Sequence, residues 1–424
     1  MRRSILILVN VFIFFGGFAQ DTVRLSRADA ETLFLKENLL LIAEKMKVSE
    51  AEALVQQAKL WPNPNITVDQ INLWATRKQT GGQEVVPPLW GSFGRNRQFG
   101  AELEQLIETA GKRKKEVAVE QVGVEKAAVE FRELLRGLKL ELRGRMTGLQ
   151  ALEEKQKNEE ARLASVRKLS QAYQNQVQQG NVPRNEVARL KALELEISRE
   201  LREIADASFE LQAGLKQLLK LDPAQVLLIT DPLEMEVSAY RLLSPDQLID
   251  TADRPDVRQA QLEETYYHKV TELERARRAP DVTLRAQYDR NGNAMLNFVG
   301  VGASVDLPLF NRNQGNIQYA QINARKAAVM TQQQTLTAQT EIVRAYRGFK
   351  NALDFYDTLE ESYDRSLDEL LDLYTRNFMN RNISMLEYLD FSDTYRNSKQ
   401  IRIDAKRELR EQFEKLNYAS GRDL

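Results

Sequence analysis

Glu387 and Asp390 are the pair of side chains in this sequence best placed for chemistry. They lie three residues apart in Ser-Met-Leu-Glu-Tyr-Leu-Asp-Phe, which reads as the start of a helix, so both carboxylates leave one helical face. A plainer role is also open to them, because Ser384 and Glu387 fit a capping box and Asp390 can simply be solvated. No catalytic constellation accompanies them. The many Asp and Glu residues create carboxylate pairs by chance, and none sits in a strand-end or Gly-rich setting that builds a pocket. The single histidine, His268, falls in a charged helical stretch and reads as a surface residue. Cysteine is absent, which excludes thiol nucleophiles, disulfides, Cys-rich zinc sites and an N-terminal lipid anchor. With 8 methionines there is also little to bind soft metals, so no metal, cofactor or enzymatic activity is expected.

The elements that must position this pair are long and regular. Glycine (20) and proline (11) make up about 7% of the 424 residues, against about 12% in ordinary usage. Sixty Lys and Arg balance 61 Asp and Glu, so charge-driven capture of nucleic acid is not expected. At 29% charged residues and a mean hydropathy of −0.48, the chain cannot be a bundle of membrane helices. It is either soluble or membrane-embedded by another route.

Residues 1–19 read as a secretory signal peptide: Arg2 and Arg3, an apolar run from Ile5 to Phe15, then Gly17-Phe18-Ala19. Prolines occur only at 62, 64, 87, 88, 183, 223, 232, 245, 255, 280 and 308, which leaves two long stretches free to be helical. The first helix is expected over about 111–179, with Phe131, Leu134, Leu135, Leu138 and Leu142 at helical spacing. The second is expected over about 315–380, and shorter helices follow each at 184–220 and 384–419.

Strands are expected at about 65–74, 98–108, 282–289 and 297–307. In the last, Val299, Val301, Ala303 and Val305 alternate with Gly300, Gly302 and Ser304, whereas the first slips its alternation at Gln70-Ile71. Pro64-Asn65-Ile66-Thr67-Val68 matches Pro280-Asp281-Val282-Thr283-Leu284, and Gly111 matches Gly315. The chain therefore divides into two structural repeats, 20–235 and 236–424, each a helix, a hairpin, a long helix, a break and a shorter helix. The first copy carries a longer loop, about Ala75 to Asn96. Four strands of membrane-crossing length cannot close a barrel, so closure needs several copies. From pattern alone, a barrel on a helical tube and a secreted coiled-coil protein with surface hairpins both remain open.

Particular stretches add a resemblance. Val305 to Ile317, with its LPLFNRNQGNI text, resembles the strand-to-helix elbow of TolC-like outer membrane factors, most closely the heavy-metal CzcC-like branch. WPNPNITV, APDVTLRAQY, YQNQVQQGNVPRNEV and YTRNFMNRNISMLEYLDFSDTY are similar to other parts of that family, in the same order. The resemblance covers essentially the whole chain after the signal peptide.

It implies a mainly α fold with a transmembrane β-barrel: a homotrimer with four strands per subunit in a twelve-stranded barrel, standing on a periplasmic helical tunnel. It implies an outer membrane efflux channel of a diderm bacterium, in contact with outer membrane lipid and not lipidated. Its partners would be a periplasmic adaptor and an inner-membrane pump, with heavy-metal cations as a suggested substrate. A periplasmic adaptor protein is the alternative, although the duplicated unit argues against it. The elbows would be Pro64, Gly111, Pro280, Pro308 and Gly315, and the first strand-to-helix elbow is the less securely placed. The tip would dock the adaptor through Gly180, Asn181, Val182 and Pro183 and through Asn382, Ile383 and Ser384. Glu387 and Asp390 fall where the family rings its closed entrance with acids; three copies would favour cations and raise some of the pKa values. Trp61, Trp74 and Trp90 would mark interfacial belts.

Overall fold

The computed structural model describes residues 22–72, 78, 81–82, 87–91, 93, 97–180, 182–250, 252–290 and 297–424. The signal peptide, Trp74, much of the 75–96 loop and Asn181 lie outside them.

The chain opens with strand β1 (Thr22–Leu25) and helices α1 (Arg27–Glu37) and α2 (Leu39–Lys59). Ser26 and Asp29 close a capping box on α1, and Asn38 caps α2 through the Leu41 amide. Past Pro62 and Pro64, which cannot continue a helix, come β2 (Asn65–Asn72) and β3 (Gln98–Ile107). Helix α3 (Lys112–Gln178) then runs 67 residues, about 100 Å, and α4 (Arg184–Leu219) returns along it. Strand β4 (Val226–Ile229) pairs in parallel with β1, a two-stranded sheet with no expectation in the sequence because each strand is only four residues long. A 3-10 turn at Ser238–Leu242, α5 (Pro245–Asp250) and α6 (Pro255–Arg277) lead to β5 (Val282–Arg290) and β6 (Asn297–Val305). The chain ends in α7 (Gln314–Tyr356), α8 (Glu361–Met379) and α9 (Met385–Ser420).

The helices bury apolar seams rather than one central core. One cluster joins Phe34, Leu142, Met146, Leu149 and Leu215 under the β1–β4 sheet. A second holds the far end of α3 and α4 together with α8 and α9 through Leu169, Tyr173, Leu190, Phe378 and Tyr388. A third packs Phe349, Leu353, Phe413 and Leu416 beneath the 3-10 turn and α5.

The second long helix is not continuous. It stops at Tyr356 and restarts at Glu361, although no proline marks the place. Thr358 turns its hydroxyl onto the Phe355 carbonyl, Arg241 grips both oxygens of Asp357 at 2.6 and 2.7 Å, and Arg402 takes the Glu360 carbonyl at 3.0 Å. Side chains thus satisfy backbone and flanking groups that a continuing helix would have used itself.

At the C-terminus α9 ends on Gly421 at φ +77, where an added Cβ would stand 2.3 Å from the Asp253 carbonyl oxygen. Gly421→Ala is expected to cost on the order of 1–3 kcal/mol in strain and backbone displacement. Thermal unfolding followed by circular dichroism reads this as a lowered midpoint with helix content kept.

Candidate functional site

The four longer strands form one antiparallel sheet in the order β2-β3-β5-β6, in which β3 and β5 join the two halves of the chain. Because side chains alternate along each strand, the register sorts them by face. Ile66, Leu103, Ala286 and Val301 make one row, and Val68, Ala101, Tyr288 and Val299 the next on the same face. The opposite face carries Asn65, Glu104, Arg285 and Gly302, then Thr67, Glu102, Gln287 and Gly300. Arg285 lies 2.7 Å from Glu104 and 3.5 Å from Glu102, leaving two acids to one base. Val299 and Val301 on the apolar face are 75% and 87% exposed. The slip at Gln70-Ile71 corresponds to a register shift between Asp69 and Asn72. In a single chain β2 and β6 are both edges, with one side of each ladder unpaired.

At the first elbow, Ala110 and Gly111 both take left-handed backbone, at φ 54 and 68, to swing β3 into α3. Asp281, just past Pro280, accepts from the Thr109 amide at 2.9 Å and from Lys112 Nζ at 2.7 Å, while the Thr109 hydroxyl donates to the Pro280 carbonyl. In the second elbow, beyond Pro308, the left-handed residue is Asn313 at φ 58 and not Gly315, which already lies in the first turn of α7. An asparagine adopts this backbone readily, and here its amide also bonds the Glu274 carbonyl at 2.9 Å. Trp61 lies beneath the Arg113 guanidinium at 3.8 Å, and Trp90 stacks on Phe93.

The two helix turns meet at the other end of the molecule. Gly180 turns at φ +76, Pro183 precedes α4, and Ser384 closes a capping box with Glu387. Gly180, Pro183, Asn382 and Ser384 are exposed. Val182 is buried and Ile383 half-buried in a shared apolar cluster, where Tyr173 stacks on Phe378 with centroids 4.7 Å apart. Those two therefore hold the turns together rather than offering docking surface.

Glu387 and Asp390 are both exposed, on the side of α9 away from buried Met385, Tyr388 and Phe391. Hydrogen bonds from the Ser384 backbone and hydroxyl hold the Glu387 carboxyl below its ordinary 4.5 in the single chain. A depressed carboxyl gives stability that is present above 4.5 and lost as pH falls through the folded value. The first turn of α9 should therefore keep slow amide exchange at pH 6 and lose it on acidification, whereas Glu387→Gln should flatten that pH dependence.

Arg162, to which the sequence alone assigns no role, is the largest fully buried side chain among the described residues. It sits on α3 between α4 and α9, donating to Ser392 Oγ at 3.0 Å, Glu159 at 3.0 Å and Glu200 at 3.4 Å. Burial pushes the Glu159 carboxyl up despite this partner. The available signal was spacing: Arg162, Val166, Leu169 and Tyr173 recur four, three and four apart, so the arginine occupies a seam position. Nearby, Lys399 bridges Asp364 and Asp368 at 3.1 and 2.9 Å, and Tyr395 donates to Asp368.

Among the described residues no group of three or more acidic, His or Cys side chains is placed to hold a metal ion, and no helix is long and apolar enough to cross a membrane.

Residues 251–422 match the outer membrane efflux protein family. The chain is 27% identical over 202 residues to an uncharacterised Haemophilus influenzae protein, an alignment covering 45% of this chain and 44% of that relative. Along its length it has the fold of solved outer membrane channels. The channel OprN superposes with a TM-score of 0.73 at 16% identity, covering 93% of this chain and 89% of the other. CusC, described in terms of transmembrane channel formation, gives 0.71 at 17% identity, covering 100% and 98%. The Campylobacter jejuni outer membrane channel CmeC gives 0.73 at 16% identity, covering 94% and 86%.

Proposed function

We propose that the chain, whose residues 251–422 match the outer membrane efflux protein family and which has a channel fold along its length, is a TolC-like outer membrane factor that forms the outer membrane conduit of a tripartite efflux system. One observation carries this: a four-stranded sheet with two free edges, one apolar exposed face and one polar face stands on a helix about 100 Å long. An apolar band of this kind is at home in lipid, and its free edges are satisfied only by closure into a barrel. Three copies give twelve strands, with Glu102, Glu104 and Arg285 facing the lumen. The leader read at 1–19 exports the chain, and the helices extend into the periplasm.

The exposed tip residues Gly180, Pro183, Asn382 and Ser384 meet a periplasmic adaptor, and an inner-membrane pump supplies the energy; the chain itself is a conduit, not a catalyst. Glu387 and Asp390 gate the tip. Heavy-metal cations are the substrate class suggested by the LPLFNRNQGNI elbow, and two lumenal acids per base favour cations over anions.

Fractionation tests the reading. The protein is expected in the outer membrane fraction and as a trimer in mild detergent; recovery as a soluble periplasmic monomer would remove it. A deletion strain gaining sensitivity to metal cations, and not to neutral drugs, is the expected substrate result.

A further inference from the structure

The two repeats differ sharply at one level of the long helices. With Tyr374 laid on Tyr173 and Glu387 on Glu186, residues 357–360 fall on 156–159, inside the unbroken α3. Asp390 falls on Arg189. The helix break and the acid pair near the tip thus occur together in the second repeat, and the first has neither.

The break separates two bodies. Above it, α7 and the upper part of α9 are gripped by a belt of short elements made of segment 231–235, the 3-10 turn and α5. Phe349, Leu353 and Phe413 pack against this belt, and Arg410 donates to the Leu233 and Glu234 carbonyls at 3.1 and 2.5 Å. Lys406 also reaches Glu154 on α3 at 3.2 Å. Below the break, α8 is fastened to the lower part of α9: Lys399 bridges Asp364 and Asp368, Tyr395 donates to Asp368 at 2.9 Å, and Tyr374 stacks on Phe391 with centroids 4.0 Å apart. Toward α3 and α4 this lower body is joined through Arg162 and the tip cluster around Tyr173 and Phe378, the contacts that a swing would exchange.

The bonds at the junction stay within one body or the other. Asp357, Thr358 and Leu359 donate their amides back to the carbonyls of Leu353, Phe355 and Tyr356, so these turns belong to α7. Glu360 is extended, at φ −76 and ψ 125, and α8 starts without a side-chain cap. The Glu360 carbonyl accepts from Arg402, which also lies 3.8 Å from Asp364 and so goes with the lower body. Rotation at Glu360 therefore breaks no helical hydrogen bond of α7 or α8, and α9 has only to curve between Arg402 and Lys406. Arg241, on the 3-10 turn, fixes the upper side of the break by holding both oxygens of Asp357. Its side chain is 46% exposed and that of Asp357 35%, so the pair is weak enough to yield, a matter of roughly two- to five-fold in a population.

We propose that residues 357–360 are the pivot on which α8 and the lower part of α9 swing together to open the tip, and that Arg241 anchors this pivot to the belt. This rests on the gated-channel reading above and locates its moving part.

The absence of native cysteine lets single spin labels report on it. Asn351→Cys on α7 and Asp372→Cys on α8 are exposed positions on either side of the break. Distances between copies in the detergent-solubilised protein, read by pulsed dipolar spectroscopy, are expected to be narrowly distributed at 351 and broader at 372. Arg241→Ala is expected to raise the long-distance fraction at 372 roughly two- to five-fold and to leave 351 unchanged. Arg241→Asp with Asp357→Arg, which swaps the pair, should return 372 toward its original distribution. An unchanged distribution at 372, equal broadening at both positions, or no recovery in the swapped variant overturns the anchored pivot while coupling between copies keeps the channel reading intact. Absence of any coupling between copies overturns both.

Discussion

Glu387→Gln combined with Asp390→Asn is expected to weaken divalent-cation block of the channel on the order of ten-fold and to raise its conductance, the scale set by losing one or two screened charge contacts per site. The pair is suited to this role because both carboxylates are exposed, three residues apart, in the first two turns of α9. Hydrogen bonds from Ser384 hold the Glu387 carboxyl below its ordinary value, which favours the charged form. The choice of substitution matters. Glutamine can still serve a capping box, so the helix start survives and only charge is removed, whereas alanine would confound gate and cap. Planar bilayer recordings with and without divalent cations read both effects. Unchanged block and conductance would leave Glu387 as a helix cap and nothing more.

Replacing Arg162 by methionine is expected to destabilise the junction of α3, α4 and α9 by about 3–5 kcal/mol, because Glu159 and Glu200 lose the cation that neutralises them. Glu200 retains Arg396 at 3.0 Å, so Glu159, already pushed up by burial, bears most of the loss. Amide exchange should accelerate along α9 from Ser392 toward the tip while the β1–β4 end stays protected. Arg162→Met with Glu159→Gln and Glu200→Gln removes the buried arginine together with its two glutamate partners, leaving Arg396 its contact with Glu196 at 3.5 Å, and should recover much of the stability. That recovery separates an uncompensated charge from a packing defect. The guanidinium Nη2 already lacks a hydrogen-bond partner, so the native arrangement is itself imperfectly satisfied.

Much of this architecture was legible because its periodicities are strong. Val299, Val301 and Ala303 alternating with Gly300, Gly302 and Ser304 announced two faces, and the stumble at Gln70-Ile71 announced the register shift. Proline-free text announced α3. The same rule misled at 357–360, where the interruption comes from Arg241 and Arg402, distant in sequence, and from the Thr358 hydroxyl. Gly315 drew the elbow away from Asn313 because glycine is the commoner left-handed residue, yet asparagine there also gains a bond to Glu274. Val182 and Ile383 looked like turn residues open to a partner, and only the meeting of two helix pairs buries the first and half-buries the second. Arg162 was readable as a seam position, but its partners on α4 and α9 were not.

The sheet is expected to face lipid on one side and water on the other. Single cysteines at Ala286, Val301 and Ala303 on one face, and at Gln287, Gly302 and Ser304 on the other, can be probed in intact outer membranes with a charged maleimide. Labelling is expected to alternate residue by residue, with the second set modified and the first protected until detergent is added. Uniform labelling of both faces before detergent would mean a hairpin sheet in water and would contradict it.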